Sequence, residues 1–239
     1  MSNNNGVEQV SEAVCDNQEM KPLKTMTLLQ NREYLMRKSN YPKFTALTFR
    51  GEGLAHWLIT PITISEEWDP NNVPKSPINT YSTRALWDTG CTTTCISTKI
   101  VKALNLTPIR QGEYASPLYG KETCKFYSVN ILLPCGHMVY EHEVNDFRDF
   151  EYEDPSRRFE VMIGMDLIQM GDFAITNVGE KTRMSFRIPS IKTIDYNIEY
   201  NKIRYANIPR NAPCPCGKMD ETGVPLKFKF CCLPEMENY

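Results

Sequence analysis

The sequence predicts a mainly β protein with a small cysteine-rich appendage. Segments in which apolar and polar residues alternate recur from Lys43 to Ile188. Stretches rich in Pro, Asn and Gly, such as Asp69 to Pro77, separate them. Four of the nine cysteines crowd between Cys214 and Cys232. At 239 residues and 41% hydrophobic, the chain can build one good core plus appendages.

Residues 1–40 form a polar N-terminal segment, with one short helical pattern at Leu28 to Met36. Lys43 to Arg50 alternates as a strand, Gly51-Glu52-Gly53 turns, and His56 to Ile64 reads as the second strand of a hairpin. Ile78 to Trp87 is the strand that delivers Asp88. Thr92 to Ile96 is β-prone, and Ser97 is placed to cap a helix whose apolar face is Ile100, Val101 and Leu104. Asn105 ends that helix. Cys124 to Leu133 and Met138 to Val144 read as strands around the turn Pro134-Cys135-Gly136. Asp146 to Arg158 is a charged, aromatic stretch expected on the surface as a loop. Glu160 to Gly164 is a further strand, Asp166 is read as the cap of a short helix, and Gly171 terminates it. Asp172 to Asn177 and Thr182 to Ile188 alternate as the last strands. Residues 191–209 read as a linker or a helix.

Composition excludes several functions. A net charge of −2 offers no basic surface for nucleic acid or an anionic membrane. No apolar run has the length to span a bilayer. The start, Met1 to Asn5, has neither a basic region nor an apolar stretch, so no signal peptide is expected and the protein is expected to be cytoplasmic. The odd number of cysteines then reads as reduced thiols or metal ligands rather than disulfides.

The stretch that organises the chain is Ala85-Leu86-Trp87-Asp88-Thr89-Gly90-Cys91. An apolar strand feeds an Asp-Thr-Gly turn. Gly90 permits a sharp turn, and the Thr89 hydroxyl can bond across an interface. Phe159 to Ile168 follows later, with Ile163-Gly164 at its centre. The order of strand, Asp-Thr-Gly, strand, helix and apolar strand ending in Ile-Gly resembles the retropepsin-like aspartic protease family over Phe44 to Ser190. The resemblance implies a single-lobe acid-protease β-barrel over residues 41–190, with Asp88, Thr89 and Gly90 as the catalytic turn. It places a substrate-covering flap at Tyr114 to Thr123, with Tyr119 and Gly120 as its contacts. Only one Asp-Thr-Gly is present. Peptide hydrolysis in that family needs two carboxylates sharing a proton across one water, so the resemblance implies a homodimer with Asp88 from each chain. The expected function is a peptide- or protein-cleaving aspartic endopeptidase that uses no metal in its chemistry. The alternative is a non-catalytic peptide-binding scaffold of the same fold.

In residues 210–239, Cys214, Cys216, Cys231 and Cys232 present four thiolates, a donor set that fills a tetrahedral zinc site and leaves no position for water. The run Arg210-Asn211-Ala212-Pro213-Cys214-Pro215-Cys216-Gly217, with an aromatic between lysines before Cys231-Cys232, resembles the SEC-C motif. The spacer is longer than that family's, and Met219 to Pro225 reads as an inserted loop. A structural zinc is expected, and through it a protein partner of unknown identity. Cys95, Cys124 and Cys135 read as small apolar fillers, and Cys91 as a small packing residue in the turn. His56, His137 and His142 show no ligand spacing with one another or with the tail cysteines.

Overall fold

The computed structural model describes residues 43–72, 74, 76–116, 120–149 and 154–237. The Leu28 to Met36 pattern and Cys15 lie outside the described residues. The chain divides into two compact units, Met1–Ile191 and Lys192–Tyr239.

In the first unit the strands are β1 (Thr45–Arg50), β2 (Ile59–Glu66), β3 (Thr80–Trp87), β4 (Cys95–Ser97), β5 (Arg110–Ser116), β6 (Gly120–Leu132), β7 (Met138–Phe147), β8 (Val161–Ile163), β9 (Asp172–Thr176) and β10 (Arg183–Ile188). Six of them pair in the order β2-β3-β8-β4-β7-β6, and β2 pairs with β6 to close the ring. The expected mainly β fold is therefore a closed six-stranded barrel, which leaves no edge within the ring. Strand β5 extends the sheet as the hairpin partner of β6, in register from Arg110↔Phe126 to Ser116↔Gly120. Strands β1, β10 and β9 form a separate three-stranded antiparallel sheet.

The alternation read from the sequence sets which faces are buried. In β2, Ile62 and Ile64 point into the core, and in β3 Ala85 and Trp87 do. Val129 and Ile131 from β6, Val144 from β7, and Val161 and Ile163 from β8 complete the interior. The Trp87 ring packs on Phe173 and Phe186, whose centroids lie 5.7 and 5.0 Å away, and so joins the barrel to the three-stranded sheet.

Two readings are corrected. The segment after Gly51-Glu52-Gly53 does not fold back on β1 as a hairpin. The backbone of Gly51 donates to Thr182 and that of Thr182 to Gly53, while Ala55 N–H bonds the Thr182 hydroxyl. These bonds pin the turn to the start of β10, so β1 pairs with β10 and β2 enters the barrel. Nor is Asp146 to Arg158 wholly a surface loop. Its first residues finish β7, where Asp146 and Phe147 pair in parallel with Ile96 and Ser97.

The helix α1 (Thr98–Ala103) follows β4. Ser97 occupies its cap position, but its hydroxyl is buried with no partner. Asp149 supplies the acceptor instead, taking the Thr98 hydroxyl and the Lys99 N–H. Asn105 adopts φ 50° just past the helix, with Asn105 N–H bonding Lys102 and Leu106 N–H bonding Val101. This is a Schellman closure. A second short helix, α2 (Met165–Ile168), follows β8.

The second unit begins with helix α3 (Tyr196–Arg204), within the stretch read as a linker or a helix, capped by the Asp195 carboxylate, which accepts from the N–H groups of Asn197 and Ile198. The last described element is α4 (Cys232–Glu237). Tyr205, Cys214, Phe228 and Met236 are the unit's buried residues, with Ile198, Ile208 and Leu233 against them. The inserted Met219 to Pro225 stretch closes as a small hairpin, Met219 bridging Pro225, around Asp220, whose carboxylate accepts from Thr222 and Val224.

Candidate active-site turn and metal centre

Strand β3 ends at Asp88, and the turn is fixed from both sides. Before it, Trp87 N–H donates to Leu58 O and the indole N–H to the buried Thr60 hydroxyl, both at 2.9 Å. At the turn, Asp88 N–H donates to Ile163 O at 3.0 Å, and Cys91 N–H returns to Asp88 O at 3.2 Å. One carboxylate oxygen, Oδ1, accepts the Gly90 N–H at 2.8 Å. A Cβ on Gly90 would stand 3.2 Å from that oxygen, a tight contact to which the carboxylate would have to give way. Asp88 is half-buried, while Thr89 and Gly90 are exposed.

The loop after Gly90 is fastened to the β8–α2 junction. Met165 and Asp166 donate their N–H groups to the carbonyls of Cys91 and Thr92. Gly164 lies so close beneath that a Cβ there would fall 2.6 Å from the carbonyl carbon of Thr93, which only glycine avoids. Its N–H donates to the Thr94 hydroxyl at 3.1 Å. Thr94 in turn gives its hydroxyl to Asp166 Oδ1 at 2.7 Å and its N–H to Asp166 Oδ2 at 2.8 Å. His142 Nε2 lies 3.2 Å from the same Oδ2. Burial opposes ionisation of Asp166, but the bonds from His142 and Thr94 outweigh it and hold its pKa below the usual carboxylate value.

Asp166 therefore does more than the cap read from the sequence. Gly164 takes the cap position of α2, and Asp166 sits in the first turn, accepting the Leu167 N–H. Its carboxylate is the clasp that holds Thr94, and so the whole loop, against β8. This clasp and the role of His142 were not read from the sequence, because their partners stand far apart in it. The signal available was a threonine shortly after the turn and an aspartate two positions after Ile163-Gly164.

Cys91 and Cys95 are the other pair that sequence reading missed. Their Sγ atoms are 3.8 Å apart, and both thiols converge on Thr93 O, at 2.9 and 3.1 Å. Cys95 is buried and also bonds Asn145 Oδ1. A hydrogen bond from Cys95 stabilises the Cys91 thiolate. Against burial and the charges of Asp88 and Asp166, and helped by a backbone hydrogen bond at Thr93, it brings the Cys91 pKa down to about 7. The same contact with Cys91, together with burial, pushes Cys95 up.

Of the two expected flap contacts, Tyr119 lies outside the described residues. Gly120 opens β6 with φ 76°, directly opposite Ser116 at the end of β5.

In the second unit, the sulfur atoms of Cys214, Cys216, Cys231 and Cys232 all lie within 4.8 Å of one another. Cys216 is 3.4 Å from both Cys214 and Cys231, and Cys231 is 3.9 Å from Cys232. A tetrahedron with metal–sulfur bonds of about 2.3 Å has sulfur–sulfur edges of about 3.8 Å, so the four residues fit one such ion. Burial works against the Cys214 thiolate, but the backbone of Cys216 and Cys232 and the thiols of both bond its sulfur and bring its pKa down to about 7. These four cysteines could hold a metal ion, and among the described residues theirs is the one cluster of three or more His, Cys, Asp or Glu ligand atoms.

Comparison with known protein families finds no match, and none of the curated proteins matches. Among solved structures, the chain is similar to a retropepsin-like aspartic protease from Rickettsia conorii, with a TM-score of 0.36 and 11% identity, over 62% of this chain and 98% of that one.

Proposed function

We propose that the protein is an aspartic endopeptidase that works as a homodimer, Asp88 of each copy supplying one half of the catalytic pair. The observation that carries this reading is the Asp88 turn. Its carboxylate is fixed through Gly90 N–H and its backbone is tied to Ile163, while Thr89 and Gly90 stay exposed. A turn that must meet its own copy needs that combination of rigidity and exposure. Asp166, the neighbouring carboxylate, is committed to Thr94, His142 and Leu167, so the second acid must come from elsewhere.

In such a dimer the two Asp88 carboxylates hold one proton and one water between them. The ionised carboxylate takes a proton from the water as its oxygen attacks the peptide carbonyl. The protonated one hydrogen-bonds the carbonyl oxygen as negative charge grows there. Collapse of the tetrahedral intermediate returns a proton to the departing amine. Thr89 of each copy bonds across the axis and Gly90 presents backbone to the substrate. The peptide lies extended as an added strand, held by main-chain bonds, and the β5–β6 hairpin closes over it. Zinc held by Cys214, Cys216, Cys231 and Cys232 would cross-link the second unit, which resembles a SEC-C motif, and give it a fixed surface for a protein partner. Four thiolates fill the coordination shell, so this zinc serves structure rather than catalysis. The reading places the protein in the cytoplasm.

The test is an unbiased peptide-library digest from acidic to neutral pH, alongside sedimentation of the same protein. The wild type should cleave and should sediment as a dimer at micromolar concentration. Asp88→Asn should remain folded and dimeric and lose all cleavage, because the amide keeps the shape but cannot act as a base. Cleavage by the variant equal to that of the wild type assigns the activity to another site. A monomer that cleaves nothing overturns the reading in favour of a peptide-binding scaffold.

A further inference from the structure

We propose that Cys91 and Cys95 are an oxidant-sensitive pair that closes reversibly into a disulfide within the loop following Asp88. The sulfurs already stand 3.8 Å apart, and a disulfide of about 2.05 Å needs them to approach by under 2 Å. Cys95 opens β4, while Cys91 lies in the stretch before it, where Cys91 to Thr94 adopt no regular secondary structure and can absorb that movement. The exposures differ in the way such a pair requires. Cys91 is half-buried and within reach of a small oxidant, whereas Cys95 is only 5% exposed. A thiolate at Cys91 is favoured by the hydrogen bond from Cys95. The four tail cysteines differ, because they gather into one cluster of metal-ligand geometry, while Cys91 and Cys95 meet only each other, a carbonyl and an amide.

With hydrogen peroxide as oxidant the chemistry balances. The Cys91 thiolate attacks one peroxide oxygen, the O–O bond breaks, and hydroxide leaves, giving Cys91 sulfenic acid. The Cys95 thiol attacks that sulfur, the S–O bond breaks, and water leaves as the S–S bond forms. Two thiols are oxidised, one peroxide is reduced, and two waters are released in total. An external dithiol reverses the reaction by exchange.

The bond removes both S–H donors from Thr93 O and draws Cys91 toward Cys95. Cys91 N–H is what closes the turn onto Asp88 O, and Cys91 O receives Met165 N–H. Oxidation therefore pulls on the backbone that fixes Asp88. Its effect on cleavage rests on the protease reading; formation of the disulfide does not.

The experiment treats the full chain with hydrogen peroxide, blocks remaining thiols with iodoacetamide, and digests with trypsin. Cleavage after Arg84 and Lys99 puts both cysteines on one peptide, apart from all four tail cysteines. The reduced protein should give this peptide alkylated twice. The oxidised protein should give it unalkylated and two hydrogens lighter, and prior dithiothreitol should restore the alkylated form. In Cys95→Ser, Cys91 should stop at sulfenic acid and be trapped by a 1,3-diketone probe. In Cys91→Ser, Cys95 should stay reduced. A wild-type peptide still alkylated twice after peroxide overturns the proposal, as does one carrying sulfinic acid at Cys91 beside an alkylated Cys95. The same samples are assayed for peptide cleavage. Activity lost on oxidation, kept in Cys95→Ser and regained with dithiothreitol adds the switch. A reduced protein that never cleaves refutes the protease reading alone and leaves the mass result to decide the disulfide.

Discussion

The Asp88 turn and the tail cysteine cluster are both irregular stretches that hold reactive groups in fixed places, and they do so by different means. The turn is clasped by many small bonds to elements with a large core behind them: Ile163 beneath Asp88, Gly164 beneath Thr93, Asp166 across Thr94. Among its described residues the tail has four buried ones, one of them the cysteine Cys214 itself. A core that small cannot offset the entropy of ordering a unit of this length. The turn should therefore tolerate the loss of any one bond at a graded cost, while the tail should stand or fall with its four sulfurs.

The largest effect expected from that difference is in the tail. Cys231→Ser combined with Cys232→Ser should abolish binding of about one zinc per chain and melt the second unit, because metal binding there is folding free energy. A strong chelator should do the same to the wild type. Amide exchange in residues 192–237 should collapse to unprotected rates in both cases, while protection in β2, β3 and β8 is unchanged. A variant that keeps its full zinc content, or a tail that stays protected without metal, would break the comparison.

Legibility in the sequence follows the same division. The barrel strands were readable because burial of one face imposes a period of two, as in Ile62 and Ile64 of β2 or Val129 and Ile131 of β6. The tail cluster was readable because its four cysteines are close in sequence and together make a donor set that could hold a metal ion. What alternation does not encode is which strand pairs with which. The expected hairpin of Lys43 to Arg50 with His56 to Ile64 failed on that point, since the choice was made by Thr182 more than a hundred residues away. The clasp of Asp166 on Thr94 spans 72 residues and stayed hidden for the same reason. Asp88, Thr89 and Gly90 were legible as a turn, and the structure adds what holds them. Cys91 and Cys95 are four positions apart and were passed over, because each alone reads as a small filler.

Within the barrel, the largest graded loss should come from Thr94→Val. The change keeps shape but removes the hydroxyl that donates to Asp166 and accepts from the buried Gly164 N–H. Losing a bond to a carboxylate and stranding a buried donor should cost about 3 kcal/mol, or roughly 10 °C in Tm. Chemical denaturation should show it as one cooperative transition of the barrel. A loss below about 0.5 kcal/mol would mean that the clasp carries none of the stability assigned to it.

A smaller effect, and one that depends on pH, belongs to Asp166. Its pKa is held below the usual value in the folded protein. The unfolded chain therefore takes up the proton first as pH falls. The stabilisation is full above the ordinary carboxylate pKa and is lost as pH drops through the lower, folded one. Asp166→Asn should be less stable than wild type near neutral pH, and the gap between their urea midpoints should narrow steadily below about pH 4. A gap that is constant from pH 7 down to acid would show that the carboxylate charge contributes nothing and that shape alone matters.

The smallest effect is also the sharpest comparison, because the same lesion can be placed in both regions. Asn105 in the barrel and Gly217 in the tail both have left-handed backbones, at φ 50° and 76°. Asn105 is exposed, and a Cβ on Gly217 would meet nothing within 4 Å, so alanine at either site is penalised mainly through the backbone. That strain is worth about 1 kcal/mol at each position. In the barrel, Asn105→Ala should lower the stability read from urea unfolding by this amount and leave zinc affinity untouched, while Asn105→Gly should stay within about 0.5 kcal/mol of wild type. In the tail, Gly217 N–H closes the turn onto Cys214 O, beside Cys214 and Cys216. The same 1 kcal/mol should there appear as an approximately fivefold weaker zinc affinity in competition with a chromophoric chelator, with no change in the barrel transition. If Gly217→Ala instead shifted the barrel and spared the metal, the second unit would owe its fold to something other than its four sulfurs.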